Sequence, residues 1–138
     1  MACIGDFDPS LATDVGATVL RFVLAGFWIS HWWFKIGYRG MPATEAFFAQ
    51  QHLPAWLAWF AVYFEMLIVV CLILGICVSS LCVTSLPILF ASMWIYRKNG
   101  FYFSNGGVEF PLLWACAQIV QAILGPGSFR ILIPGLLR

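Results

Sequence analysis

Charge is what this sequence has least of. Only 9% of its 138 residues are Asp, Glu, Lys or Arg, whereas 62% are hydrophobic. Soluble domains carry about 25% charged residues. So few charges cannot cover the surface of a water-soluble globule, which predicts an integral membrane protein in a lipid bilayer. The net charge of +1 and the scattered basic residues leave no basic patch, so we expect no nucleic-acid partner.

A basic leader and metal-binding cysteine motifs are also missing. Aspartates rather than Lys or Arg precede the first apolar run, so we expect no cleaved signal peptide and take Met1 as the start of the mature chain. The five cysteines show neither C-x-x-C nor zinc spacing, which predicts no metal site. We expect them to pack as small hydrophobes, with a Cys77–Cys82 redox pair as the alternative. No haem, flavin or iron–sulfur motif is present, so we expect no cofactor of the chain's own.

Four apolar segments are close to the roughly 20 residues that cross a bilayer. They cover about 13–36, 54–77, 79–96 and 108–124. The uncharged stretch from Met66 to Tyr96 would be about 46 Å long as one helix, which is too long for one crossing. We therefore predict a break at Gly75 with Ser79-Ser80, and a tight antiparallel hairpin of the second and third helices. Pro87 should kink the third helix.

The predicted fold is an all-α integral membrane four-helix bundle, with residues 1–138 as one domain and a tail at 125–138. A short interfacial helix is predicted at Ala43–Gln51, between the first two spans, with Phe47 and Phe48 toward lipid. The two loops on one side hold more basic residues than the other side. The positive-inside rule then places both loops in the cytoplasm and both termini outside.

A carboxylate stands near the middle of the second predicted helix. Ionised Glu65 would cost at least ~2.5 kcal/mol at that depth, so it must be neutral, paired or close to water. On a wheel at about 100° per residue, Arg21, Trp28, His31 and Lys35 of the first helix share an arc of about 80°. We predict that Glu65 meets this cationic face. Depth favours Arg21 or His31 as its partner, because Lys35 lies near the helix end and can snorkel.

Two interpretations of this pair stay open. Buried polar groups can simply fix helix register and orientation. Alternatively they line a polar pocket for a quinone head group, a proton path or a small polar substrate. In a quinone site, His31 or Glu65 would hydrogen-bond a carbonyl, and Trp28 or Trp32 would stack on the ring.

The segment RKNGFYFSNGGVEFPLLW carries strong turn signals at Asn99-Gly100 and Asn105-Gly106-Gly107, and by itself predicts a structural cap. Glu109 falls in the first turn of the fourth helix, where a negative charge suits the helix dipole. The candidate intramembrane polar cluster is therefore Arg21, His31, Glu65 and Glu109. The candidate pocket lining is Trp28, Trp32, Lys35 and Asn105.

Taken in order, these stretches resemble the DoxX family of small four-helix membrane proteins, from about Val19 to Gly127. The matching runs are HWWFK, LPAWLAWFAVYFEMLIVVCLILGI with Glu65 in place, NGFYFSNGGVEFPLL and LGPG. The chain departs from relatives at Trp32 and at Ile68-Val69-Val70, where they often have glycine, and in its tail SFRILIPGLLR. Bulky residues in place of glycine suggest that any pocket is narrowed or filled.

The family takes its name from a thiosulfate:quinone oxidoreductase with membrane subunits of this type. The resemblance therefore implies a multi-pass protein of the bacterial cytoplasmic (inner) membrane, acting as an accessory, structural subunit of a larger redox or energy-converting complex. The alternative is a quinone-linked oxidoreductase subunit with a polar intramembrane pocket. A small transporter or channel is a third hypothesis. The expected partners are other membrane subunits, and the candidate ligands are a quinone or a bound lipid.

Overall fold

The computed structural model describes residues 8–128, and every regular element in this range is helical. The elements are α1 (Pro9–Trp33), a π-helical segment (Phe34–Tyr38), α2 (Met41–Gln50), α3 (Ala55–Leu74), α4 (Val78–Tyr96), two 3₁₀ turns (Arg97–Asn99 and Phe103–Asn105) and α5 (Glu109–Leu124). The predicted all-helical membrane bundle is confirmed. Residues 129–138 of the predicted tail lie outside the described range.

Within residues 8–128, three helical stretches are long and apolar enough to cross a membrane. They are Pro9–Tyr38 with 30 residues, Ala55–Leu74 with 20 and Val78–Asn99 with 22. The fourth predicted span, α5, has 16 residues. A helix of that length measures about 24 Å, less than the roughly 30 Å of the hydrocarbon core. Its apolar character is that of a membrane helix, but it is shorter than the hydrocarbon core is thick.

Local chemistry at Asp8 sets the start of α1 earlier than the predicted residue 13. The Asp8 carboxylate accepts hydrogen bonds from the Ser10 hydroxyl at 2.8 Å and the Ser10 backbone N–H at 3.0 Å. Pro9 then occupies the first helical position, where a missing N–H costs nothing. The two Ser10 hydrogen bonds hold the pKa of the Asp8 carboxyl below its ordinary value, since they favour its charged form.

The break between α3 and α4 is confirmed at Gly75, which ends α3 in the left-handed region at φ 73°. Cys77, at φ 49°, precedes the first residue of α4. Ser79 and Ser80 therefore belong to the first turn of α4 and not to the connection. α4 then runs unbroken through Pro87, whose ring nitrogen has no N–H to donate to the carbonyl one turn earlier.

The prediction of a tight α3–α4 hairpin is wrong in its packing. α1 packs mainly on α3, α4 packs mainly on α5, and the contact between α3 and α4 is small. Two features explain this arrangement. The Gln118 side-chain amide of α5 donates to the Ser85 hydroxyl of α4 at 3.0 Å. A cavity separates α3 from α4 on the side away from Gly75, with Ala61 on one wall and Ala91 on the other.

The loop between α4 and α5 is a hydrogen-bonded cap, as predicted. The Asn99 side-chain amide donates to the Gly106 carbonyl at 3.1 Å, and the Val108 N–H donates to the Gly100 carbonyl at 3.2 Å. The Glu109 carboxylate accepts from the Phe103 N–H at 2.8 Å. Gly107 is buried where this loop crosses itself.

Replacing Gly107 with alanine should destabilise the fold. A Cβ there would overlap the Gly100 carbonyl oxygen and the Phe101 carbonyl group, which are backbone atoms that cannot rotate away. We expect a loss of about 1–3 kcal/mol in the free energy of unfolding, as for other overpacked sites. The measurement is thermal unfolding in detergent micelles. Gly26→Ala in α1 is the matched control, because nothing lies within 4 Å of its Cβ position. Equal unfolding temperatures for the two variants would contradict the prediction.

Candidate functional site

Glu65 lies at the middle of α3 with its side chain fully buried. Its Oε1 atom accepts a hydrogen bond from Lys35 Nζ at 2.5 Å, and the His31 Nε2 atom lies 3.8 Å from the same oxygen. The buried carboxylate thus meets the cationic face of α1. Depth favoured Arg21 or His31 as the partner. Lys35 instead makes the direct bond, His31 lies beside it, and Arg21 binds elsewhere.

The helix geometry at Lys35 explains this outcome. The Arg39 N–H donates to the Phe34 carbonyl at 2.9 Å, which is the wider i→i+5 turn of a π-helix. The four-carbon stem of Lys35 then extends inward along the bundle to the carboxylate. A snorkelling lysine would instead extend outward to the membrane surface. The Thr44 hydroxyl of α2 lies 3.1 Å from the Lys35 carbonyl and fastens the short helix against this segment.

A cavity of about 340 Å³ opens beside the Lys35–Glu65 pair. It lies between the π-helical segment, α2, the first half of α3 and the second half of α4. Its polar lining is His31, Lys35, Arg39, Thr44, Ser92 and Tyr96. Its apolar lining is Phe34, Phe47, Phe48, Leu53, Leu57, Phe60, Ala61, Pro87, Ile88, Ala91 and Ile95. Phe47 and Phe48, predicted to face lipid, instead form a wall of this cavity because α2 is held over it.

Of the four predicted pocket-lining residues, only Lys35 lines the cavity. Trp28 is fully buried in the bundle core, where its ring lies 4.6 Å from that of Trp114. Trp32 is half-buried on another face of α1, and Asn105 is exposed in the α4–α5 loop. Neither tryptophan therefore reaches a ligand in the cavity. The aromatic walls come instead from phenylalanines, of which Phe47 and Phe48 were expected to face lipid.

The four residues predicted to form one polar cluster are separated. Arg21 precedes His31 by ten residues, which is about 15 Å along a helix. Its Nη1 atom donates to the Pro126 carbonyl at 2.6 Å, so this arginine ties the chain after α5 to α1. Glu109 is the first residue of α5, where its carboxylate accepts the Phe103 N–H of the preceding loop. Only His31 and Glu65 remain together, joined by Lys35.

Sequence reasoning missed the polar residues of α5 and α2. Gln118 and Gln121 are fully buried on one face of α5, and Thr44 is the buried residue of α2. The signal for the glutamines was present, since Trp114, Gln118 and Gln121 recur at i, i+4 and i+7 on one helical face. Thr44 carried no such signal, because its role depends on the π-helical turn nine residues earlier.

The cysteines in the described range are free thiols, namely Cys71, Cys77, Cys82 and Cys116. Cys82 packs in the hydrophobic core against residues of the neighbouring helices. The Cys77–Cys82 pair considered from the sequence is not joined, and Cys3 lies outside the described range.

A model of the DoxX family matches residues 16–97, which is more than half of the chain. The matched range includes α2, α3, both members of the Lys35–Glu65 pair and every residue that lines the cavity. Neither a curated protein nor a solved structure matches the chain.

Lys35→Met should destabilise the protein more than Glu65→Leu. The first variant strands a buried carboxylate, which costs about 3–5 kcal/mol when its partner is removed. The second leaves a lysine that can turn outward and recover water. The double variant, Lys35→Met with Glu65→Leu, should recover most of the loss. The measurement is unfolding in detergent, with Lys98→Met at an exposed lysine as the control. Additive losses in the double variant would show that the two side chains do not act as a pair.

Proposed function

The chain belongs to the DoxX family, and on that premise we propose that it is a membrane subunit of a bacterial redox complex that binds a quinone head group in the cavity beside Lys35. The complex would lie in the cytoplasmic membrane. The observation that carries the proposal is the arrangement of the cavity, in which the buried Lys35–Glu65 pair adjoins a chamber whose walls are otherwise largely apolar.

Where the ion pair meets the chamber, its balanced charge favours a neutral ligand. Lys35 and Glu65 carry opposite charges at 2.5 Å, so together they present little net charge to the chamber. A lysine ammonium has three N–H groups, and Glu65 Oε1 takes one of them. The others can donate to a carbonyl oxygen, with the His31 imidazole beside them. A neutral ring bearing carbonyl oxygens satisfies these donors without adding a buried charge.

The size and walls of the cavity also suit a quinone. Its volume of about 340 Å³ lies within the usual range for small-molecule sites. Phe47, Phe48 and Phe60 offer rings against which a planar head group can pack. The isoprenoid tail of a quinone would follow the apolar side of the chamber toward lipid.

An accessory, structural subunit is the second candidate function. The observation that favours it is the filling of α3, where Ile68 and Val69 are buried at positions that the family resemblance associates with glycine. A core filled in this way uses the Lys35–Glu65 pair to fix the register of α1 on α3 and leaves the chemistry to other subunits.

Binding of decylubiquinone to the detergent-purified full chain tests the quinone proposal. Ala91→Trp should abolish binding, because Ala91 lines the cavity from α4 and is remote from the ion pair in the chain. The matched control is Ala46→Trp, an exposed alanine of α2 that does not line the cavity. Lys35→Met should weaken binding roughly tenfold or more, the usual effect of losing a hydrogen bond from a charged donor.

Two outcomes decide between the candidates. Saturable binding that Ala91→Trp removes and Ala46→Trp retains supports the quinone site. A folded wild-type chain that binds no decylubiquinone, yet co-migrates with larger membrane proteins after gentle extraction, supports the structural subunit and overturns the quinone proposal.

A further inference from the structure

A column of buried polar side chains lies between α1, α4 and α5. On α5, Trp114, Gln118 and Gln121 share the inward face, and all three are buried. On α1, Trp28 packs against Trp114 with ring centroids 4.6 Å apart. None of these residues lines the cavity or contributes to the proposed quinone site.

Several polar atoms of this column have no hydrogen-bond partner among the residues described. They are the indole nitrogens of Trp28 and Trp114, the side-chain carbonyl oxygens of Gln118 and Gln121, and Oε2 of Glu65. Each exposes less than 1 Å². Buried polar atoms are rarely left unpaired in native proteins. The core therefore holds two unpaired donors, the indole N–H groups, and three unpaired acceptors, the glutamine and glutamate oxygens. Internal water molecules typically bridge such groups, because a buried water makes about three hydrogen bonds.

The column follows α1 along most of its length. The His31 ring lies 5.6 Å from that of Trp114, and His31 Nε2 lies 3.8 Å from Glu65 Oε1. In the other direction, Gln118 donates to Ser85 at 3.0 Å, and Gln121 follows three residues later, about 4.5 Å along α5.

Beyond Gln121 the column reaches the membrane surface opposite the cavity. The Gln121 side-chain amide donates to the Gly125 carbonyl at 2.6 Å. Ser128 then donates to the Asp14 carboxylate at 3.0 Å, at an exposed position near the start of α1. Asp14 and Lys35 are 21 residues apart, which is about 31 Å along a helix and close to the thickness of the hydrocarbon core.

We propose that this column is a proton route that connects the membrane surface at Asp14 with Glu65. A proton enters from water at Asp14 and passes along internal waters that the glutamine and indole groups orient. It then protonates the Glu65 carboxylate. It leaves through the cavity, past Lys35, to the surface at Arg39, so that each proton taken up at Asp14 is matched by one released at Arg39 and Glu65 returns to its charged form. Polar and ionisable residues inside the bilayer commonly form such relays.

Proton flux into vesicles tests this route. The wild-type chain would be reconstituted into phosphatidylcholine–phosphatidylglycerol vesicles that contain a pH-sensitive dye, and a potassium gradient with valinomycin would drive protons inward. Trp28→Phe removes the indole N–H and keeps a ring, and Gln118→Leu removes the amide at similar volume. The matched controls are Trp56→Phe and Gln50→Leu, which alter exposed residues of the same types.

We expect wild-type vesicles to take up protons faster than protein-free vesicles. Each column variant should lower the rate roughly tenfold, the effect of losing one hydrogen-bonded link from the transfer barrier. Gln118→Glu should retain the flux because it keeps a hydrogen-bonding side chain. Unfolding in detergent identifies any variant that has lost its fold. If one of the two column variants is unfolded, the proton flux of the other one tests the route.

Wild-type flux equal to that of protein-free vesicles would overturn the route. Flux in Trp28→Phe and Gln118→Leu equal to that of the two controls would do the same. Neither column residue lines the cavity, so Gln118→Leu should still bind decylubiquinone. The proton route and the quinone site can therefore fail independently of each other.

Discussion

The rest of the structure depends on one ion pair in the membrane interior. A carboxylate at the middle of α3 is tolerable in a low-dielectric core only with a close cation, and Lys35 supplies it at 2.5 Å. Reaching Glu65 requires the lysine stem to turn inward from the end of α1. Lys35 lies in the wider π-helical turn, and its backbone carbonyl there accepts a hydrogen bond from Thr44 of α2. One electrostatic requirement thus links α1, α2 and α3.

The position of α2 has a consequence for the shape of the molecule. Because Thr44 ties this short helix to the π-helical segment, Phe47 and Phe48 face a chamber between α3 and α4. The indole of Trp59 donates to the Glu45 carboxylate at 2.5 Å and fastens α2 to α3 from its other side. The gap between α3 and α4 is therefore covered at its outer end. Packing of α4 on α5 leaves that gap open, since α4 obtains its contacts elsewhere.

The sequence predicted the helical bundle because hydropathy, helix length and the Gly75 break follow directly from composition along the chain. It also predicted that Glu65 would need a cation from α1. It did not predict which cation pairs with Glu65. Membrane depth estimated from residue number ignores the length of a lysine side chain and the extra residue of a π-helical turn. Arg21 was misplaced for a different reason. Its partner, the Pro126 carbonyl, lies 105 residues further along the chain, and no local pattern reports such a contact.

The shortness of α5 has a consequence for the lipid around the protein. Its 16 residues measure about 24 Å, roughly 6 Å less than the hydrocarbon they adjoin. Hydrophobic mismatch of this kind is relieved when acyl chains compress locally, at a fraction of a kcal/mol per Å. The bilayer should therefore dip beside α5 and remain undisturbed beside α1. Thinning on one side only favours location in thinner membranes and association with proteins whose own membrane spans are short, because both reduce the mismatch energy.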